Sequence, residues 1–320
     1  MNIPKLTIVT GMSGSGKSTV SQRLSLRLEE AGIPNVWIHE ESLNHPVRSK
    51  EFDTGSLFNA LDFERNLNVL LEAWKQLISR VLGSDKPFVM EGCFFQDIIR
   101  YFFEAGIEEP RIRRFYKDLE AVLHPAGPFL VFLYSPDAER TLKNVFPARG
   151  RRWEDLILDP GECRYFKNNG LAGDEGIYRM WREYQRLSLT IFAELSLRKL
   201  KIDVIQNEDG DFPGMVFDSL KLPIAASAVS SGKPGGDEEL TGLYTDETDR
   251  SRRLEIIKDS GGLFCRMFWD YMKLEKIEGD TYRIISFPIE LEFQNTGGKQ
   301  TVTISGNYGW DMNGRRLLKA

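Results

Sequence analysis

Long apolar runs, paired cysteines and an excess of positive charge are all missing from this chain of 320 residues. No stretch approaches the roughly twenty apolar residues that a membrane span needs, so no membrane partner is expected. The three cysteines, Cys93, Cys163 and Cys265, stand far apart with no CxxC spacing. Neither a disulfide framework nor a zinc site is therefore indicated. Lys and Arg total 42 against 47 Asp and Glu, a net charge of -5, which lacks the electropositive footprint of nonspecific nucleic-acid binding. Only five strand-like residues precede Gly11, too few for a signal peptide, and a cytoplasmic location is expected. What is present, 41% hydrophobic and 28% charged residues, suffices to bury a core.

Five apolar runs alternate with helical patterns over the first two thirds of the chain: Leu6 to Thr10, Asn35 to His39, Pro87 to Glu91, Phe129 to Tyr134 and Lys201 to Ile205. This rhythm predicts a parallel sheet covered by helices, with its active site at the carboxyl ends of the strands. The longest helical patterns run from about Leu57 to Leu82 and from about Glu175 to Leu195. In the second, Arg179, Arg182 and Arg186 share a face that suits a solvated surface or a phosphate site. From Pro223 to Glu239 small residues, Ser, Gly and Pro replace the periodicity, and beyond them the apolar period becomes two. The expected division is residues 1–222, a linker over 223–239, and an antiparallel sheet of six or seven strands over 240–320, shaped as a sandwich or barrel.

Gly11-Met12-Ser13-Gly14-Ser15-Gly16-Lys17-Ser18 satisfies G-x-x-x-x-G-K-[ST], and it lies between the first expected strand and a helix carrying Val20, Leu24 and Leu28. The glycines permit a tight loop whose backbone N–H groups point inward at phosphate oxygens, reinforced by the helix N-terminus. Residues 11 to 19, through Thr19, are the expected nucleotide-binding segment. Lys17 would reach the β- and γ-phosphates of ATP, and Ser18 would place its hydroxyl on Mg²⁺, with a carboxylate completing the metal site.

The chain lacks an Asn-Lys-x-Asp element of the GTPase kind. With its first strand at the start of the chain, it resembles the P-loop kinases of small molecules, nucleoside and nucleotide kinases of the thymidylate kinase layout in particular. The resemblance covers residues 5 to 222 and implies a three-layer P-loop NTPase sandwich around a parallel five-stranded sheet. It implies three further sites. Phe88-Val89-Met90 runs into Glu91-Gly92, like the acidic end of a Walker B strand, so Glu91 would hold the metal or act in catalysis. The segment His39-Glu40-Glu41-Ser42-Leu43-Asn44-His45 follows the second strand, where Glu40 or Glu41 would take the acceptor's proton; His39 and His45 are weaker candidates. Ala148-Arg149-Gly150-Arg151-Arg152-Trp153 resembles an arginine-rich lid, and Arg149, Arg151 and Arg152 would grip the transferred phosphoryl group. Cys93-Phe94-Phe95-Gln96 stands where those kinases carry an arginine-containing signature, a departure that bears on nucleoside specificity.

The expected activity is ATP-dependent transfer of the γ-phosphoryl group to a small-molecule acceptor such as a nucleoside or nucleotide. The alternative is a nucleotide-binding switch or scaffold ATPase whose β domain binds a partner; a homodimer is compatible with either. Arg111, Arg113 and Arg114 read as surface charge paired with nearby acids. Asn207 to Asp211 would face the nucleotide base by position. In the C-terminal part, Trp269, Tyr271, Tyr282, Tyr308 and Trp310 are expected mostly in the core, or else on a ligand-binding face.

Overall fold

A computed structural model describes residues 3–48, 63–159, 161, 163–207, 210–222, 237–309 and 311–320. The start of the helix expected from Leu57, most of the linker expected from Pro223, residues 208 and 209, and Trp310 lie outside the described residues. The chain divides into two compact units, one of Met1–Glu40, Asn44–Asn144 and Leu156–Ala225, the other of Glu41–Leu43, Val145–Asp155 and Ala226–Ala320.

The first unit is built on a five-stranded parallel sheet in the order β2-β3-β1-β4-β5. Its strands are β1 (Leu6–Gly11), β2 (Val36–Ile38), β3 (Phe88–Glu91), β4 (Phe129–Tyr134) and β5 (Arg198–Asp203). The central strands β1, β3 and β4 are apolar on both faces and almost wholly buried, as a sheet covered by helices on each side requires. The edge strand β5 starts three residues earlier than the sequence pattern indicates. Arg198 and Lys201 are exposed, and an edge strand buries too little to show a continuous apolar run. Register is fixed by pairs such as Ile8 with Met90 and Val9 with Val131, which bring the ends of β1, β3 and β4 level.

Helix α1 (Lys17–Glu30) follows β1, and α2 (Phe63–Leu82) buries Phe63, Leu67, Leu70, Trp74, Leu77 and Val81 at helical spacing. Helices α3 (Gln96–Glu104) and α4 (Glu109–Leu123) follow β3. Between β3 and α3 the loop is anchored by Phe94 and Phe95, both fully buried among Trp74, Tyr116 and Phe132. The Tyr116 hydroxyl donates to the Phe94 carbonyl at 2.7 Å, and the Phe95 N–H donates to Thr10 Oγ1 at 3.1 Å. The start of α3 is thereby pinned to the end of β1.

After β4 come α5 (Ala138–Arg149), α6 (Arg151–Leu158), α7 (Arg164–Asn169) and α8 (Gly173–Glu194). Helix α8 buries Ile177, Trp181, Tyr184, Leu187 and Ile191 at helical spacing. Helix α9 (Phe212–Leu220) starts at Asp211, whose side chain accepts the Gly214 N–H at 3.0 Å as an N-cap, with Pro213 in the first turn. No helix among the described residues is long and apolar enough to cross a membrane.

In the second unit a short helix, α10 (Asp237–Leu240), precedes β6 (Gly242–Thr245), β7 (Arg253–Asp259), β8 (Gly262–Arg266), β9 (Met272–Glu278), β10 (Thr281–Ile284), β11 (Ile289–Thr296), β12 (Lys299–Gly306) and β13 (Arg316–Lys319). These eight strands close into an antiparallel barrel in the order β10-β11-β12-β13-β6-β7-β8-β9. Eight exceeds the six or seven expected; β6, β10 and β13 span only four residues each, too short for a period of two to mark them out. Alternate residues fill the interior, with Tyr244, Leu254, Ile256, Cys265, Leu291, Val302, Ile304 and Leu317 at 0–1% exposure. Closure leaves no free sheet edge. Tyr282 and Tyr308 belong to this core, while Trp269 and Tyr271 sit in the turn before β9 and are more exposed.

Candidate active site

The phosphate-binding sequence folds as a tight turn from β1 into α1. Gly14 and Gly16 have φ of 84° and 90°, a left-handed geometry that side chains resist. The Ser15 hydroxyl donates to the Met12 carbonyl at 2.9 Å and closes the loop on itself. Helix α1 has no side-chain cap and no acid in its first turn, so its N-terminal N–H groups and dipole stay available to an anion. Lys17, 5% exposed, donates to Met12 O at 3.1 Å and to Gln96 Oε1 at 2.6 Å. Gln96 belongs to the segment pinned by Phe94 and Phe95, so the lysine is held across the loop rather than left in solvent.

Glu91 is fully buried at the end of β3. Its Oε1 accepts the Ser18 hydroxyl at 3.2 Å and the Glu40 N–H at 3.1 Å, and His39 Nε2 lies 3.3 Å from the same oxygen. Its Oε2 is buried with no hydrogen-bond partner among the described residues. Burial pushes the Glu91 carboxyl up to about 8, the charge of Glu40 adds to this, and Lys17 opposes it. A hydroxyl beside an unsatisfied carboxylate oxygen, next to a phosphate loop, fits a hard divalent cation that also binds phosphate and water. Ser18 and Glu91 would hold Mg²⁺ there. Among the described residues no three His, Cys, Asp or Glu side chains form a cation cage, and such a site does not need one.

Gly92, with φ of 69°, lies under Glu40: a Cβ at this position would come within 3.0 Å of Glu40 Oε2. The bare backbone therefore gives the Glu40 carboxylate its place beside Glu91. Its neighbour Glu41 falls in the other compact unit, where its carbonyl accepts the Gly309 N–H at 3.0 Å. Of the two adjacent acids, Glu40 is the one brought to Glu91. His45 is tied to its own loop. Its Nδ1 accepts the N–H groups of Val47 at 3.2 Å and Arg48 at 2.9 Å, and Nε2 lies 3.5 Å from Cys93 Sγ. Burial, aided by the Arg48 charge, pushes His45 down to about 4, so it stays neutral at physiological pH. Cys93, with φ of 52°, is buried and its thiol is pushed up, first by burial and then by Asp97. It is no ready nucleophile.

The lid segment lies in the second unit. The Arg149 guanidinium stands 4.3 Å from the Trp153 ring and 4.1 Å from the Trp269 ring. Arg151 pairs with Asp155 at 2.7 Å and more loosely with Glu154 at 3.8 Å. Arg152 is exposed. Of the other basic groups, Arg111 pairs with Glu64 and Arg113 with Glu194, acids of other helices rather than the sequence neighbours expected. Arg182 pairs with Glu175 and Glu139, and Arg186 with Glu183 and Glu109; with Arg179, Tyr165 and Asn169 they line a cavity of about 450 Å³. Just before the segment 207–211 expected near the base, the Asp203 carboxylate caps the turn by accepting the N–H groups of Ile205 and Gln206.

Gln96, Asp97 and Arg48 were not legible as site residues in the sequence. The Asp97 Oδ2 is buried and without a hydrogen-bond partner among the described residues, and the Arg48 guanidinium donates to the Glu40 carbonyl at 3.0 Å. The available signal for Gln96 and Asp97 was their position, directly after the acidic end of β3.

A 2-3-1-4-5 parallel sheet with this loop between its first strand and first helix is a P-loop kinase-like fold. No family model matches the chain. The chain is 25% identical over 152 residues to a thymidylate kinase of Brachyspira hyodysenteriae, a match covering 46% of this chain and 70% of that protein. Among solved structures, the deoxyadenosine kinase of M. mycoides with bound dATP aligns over 68% of this chain and 99% of its own, at 15% identity and a TM-score of 0.39. The YorR protein of Bacillus subtilis, in complex with phosphorylated GDP, aligns over 68% and 96%, at 17% identity and a TM-score of 0.35.

Proposed function

We propose that this protein transfers the γ-phosphoryl group of ATP to a hydroxyl or phosphate oxygen of a small acceptor, of the nucleoside or nucleotide class. One observation carries the reading: the buried Glu91 carboxylate, hydrogen-bonded to Ser18 of the phosphate loop, keeps one oxygen unsatisfied beside Glu40. The similarity to a thymidylate kinase supports the acceptor class.

In this reading the N–H groups of residues 13–19 and Lys17 hold the phosphates, Lys17 exchanging Gln96 for phosphate oxygen. Ser18 and Glu91 would hold Mg²⁺, which when bound would supply positive charge to neutralise the phosphates. Glu40, placed by Gly92 and by its own N–H bond to Glu91, takes the acceptor's proton. The acceptor oxygen bonds to the γ-phosphorus as the bridging bond breaks, and ADP leaves. Arg151 and Arg152 steady the charge on the group in flight. Glu41 and Arg149 act through the loops they belong to.

The test is ADP release by the purified protein, with MgATP and a panel of nucleosides and nucleoside monophosphates. Acceptor-dependent release, lost in Lys17→Ala, is the expected result. Stoichiometric nucleotide binding with no acceptor-dependent turnover would replace this reading with a nucleotide-binding switch.

A further inference from the structure

The second unit takes in two short pieces from the first two thirds of the sequence, Glu41–Leu43 and Val145–Asp155. One directly follows Glu40 and the other is the arginine-rich segment. Each is fastened to the barrel through the backbone, and the second through side chains as well.

Three contacts converge on residues 148–150. The Tyr271 N–H donates to the Ala148 carbonyl at 2.8 Å. The Arg149 guanidinium is sandwiched between Trp153, one turn further along the segment, and Trp269 of the barrel turn. An arginine over two indole faces gains electrostatic attraction and contact area together. Gly150, with φ of 87°, leaves the space that Asp270 fills; a Cβ there would overlap the Asp270 carboxylate. Trp269 is itself seated against Phe287, with ring centroids 4.6 Å apart, and Phe287 belongs to the barrel core. The turn is thus rigidly backed. At the other segment, the Gly309 N–H donates to the Glu41 carbonyl at 3.0 Å, next to the buried Tyr308.

We infer that the barrel is a holder for the catalytic loops, and that Trp269 is a positioning residue which, by clamping Arg149, sets where Arg151 and Arg152 are presented. The catalytic half of this inference rests on the phosphotransferase reading; the clamp does not. Arg149 is a pin rather than a phosphate ligand. Arg151 and Arg152 follow directly after Gly150, at the start of α6, so where they are held depends on how the pin and the Gly150 turn sit. A barrel whose interior is filled by its own side chains, closed and without edges, suits a holding role better than a ligand-carrying one.

The experiment uses the full chain with Trp269→Ala, Trp269→Phe and Arg149→Gln. Limited trypsin digestion is followed by mass spectrometry at Arg151 and Arg152, normalised to cleavage elsewhere. Cleavage of a transiently opened segment tracks its open population, so losing one cation–π clamp should raise cleavage about tenfold in Trp269→Ala and Arg149→Gln. Trp269→Phe, which keeps an aromatic face, should recover most of the protection. Arg149→Gln leaves the Phe287 contact intact, so a rise there cannot come from damage to the barrel. Equal cleavage in all four proteins overturns the clamp. In the same proteins the turnover number should fall in Trp269→Ala and Arg149→Gln and return in Trp269→Phe, with the acceptor's KM nearly constant. Raised cleavage with unchanged turnover overturns the positioning role. Absence of turnover in the unmodified chain counts against the phosphotransferase reading; the digestion still decides the clamp.

Discussion

Replacing Glu91 by Gln should abolish phosphoryl transfer and yet stabilise the ligand-free protein above neutral pH. In the folded chain this carboxyl is pushed up to about 8, from 4.5 for a glutamate in water. The folded state therefore keeps a proton that the unfolded state gives up, and stability falls as pH rises between those two values. The slope is about 1.4 kcal/mol per pH unit at most. Between about pH 5.5 and 7.5 this single group accounts for a loss on the order of 2–3 kcal/mol at most. Glutamine carries no such proton and escapes the loss. For a unit of about 200 residues the difference is about 5–10 °C in Tm. Thermal unfolding of both proteins across this range measures it, because other titrating groups, His45 among them, contribute nearly alike to both. Relative to the unmodified protein, Glu91→Gln should gain Tm steadily as pH rises. MgATP, which favours the ionised carboxylate, should stabilise the unmodified protein far more than the variant. Parallel Tm profiles in the two proteins would refute the assignment of a strained, proton-holding carboxyl to this position.

Glu40→Gln should lower kcat by about 10²–10⁴ with the KM for ATP little changed, as loss of a general base requires; steady-state kinetics separates the two parameters. Gly92→Ala should reproduce much of that loss, since the new Cβ meets the Glu40 carboxylate at 3.0 Å and the φ of 69° is unfavourable; a variant as active as the parent would show that Glu40 is not placed by this contact. His45, pushed down to about 4, makes the fold less stable as pH falls from about 6.5 towards 4, because only the unfolded chain binds that proton readily; His45→Asn should flatten this acid limb in thermal unfolding. Phe95→Ala should cost about 3–5 kcal/mol in a denaturant titration, and the loss should extend to ATP affinity because Phe95 anchors the segment that bears Gln96.

The parallel sheet was legible because its central strands are doubly buried. Phe129 to Tyr134 is apolar at every position but the last, and such a run leaves little choice of boundaries. The phosphate loop was legible because glycine and lysine spacing is itself the geometry. Legibility fell where burial is one-sided, as in β5, and where a contact joins residues distant in sequence. Gln96 reaches Lys17 across 79 positions, and nothing local in either segment announces it. Glu40 and Glu41 were equivalent as letters; the partner beneath each, Gly92 for one and Gly309 for the other, tells them apart. Arg149 reads as a phosphate ligand among its neighbours, and only the turn carrying Trp269, over a hundred residues later, shows it clamped between indoles.

The central claim is tested most directly by following the γ-phosphoryl group itself. Purified protein incubated with γ-labelled ATP, Mg²⁺ and the nucleoside and nucleoside monophosphate panel should give a labelled, chemically identified product. The product should be absent with Lys17→Ala and reduced at least a hundredfold, in order of magnitude, with Glu40→Gln. Release of labelled inorganic phosphate alone, at a rate unaffected by any acceptor, would contradict the account.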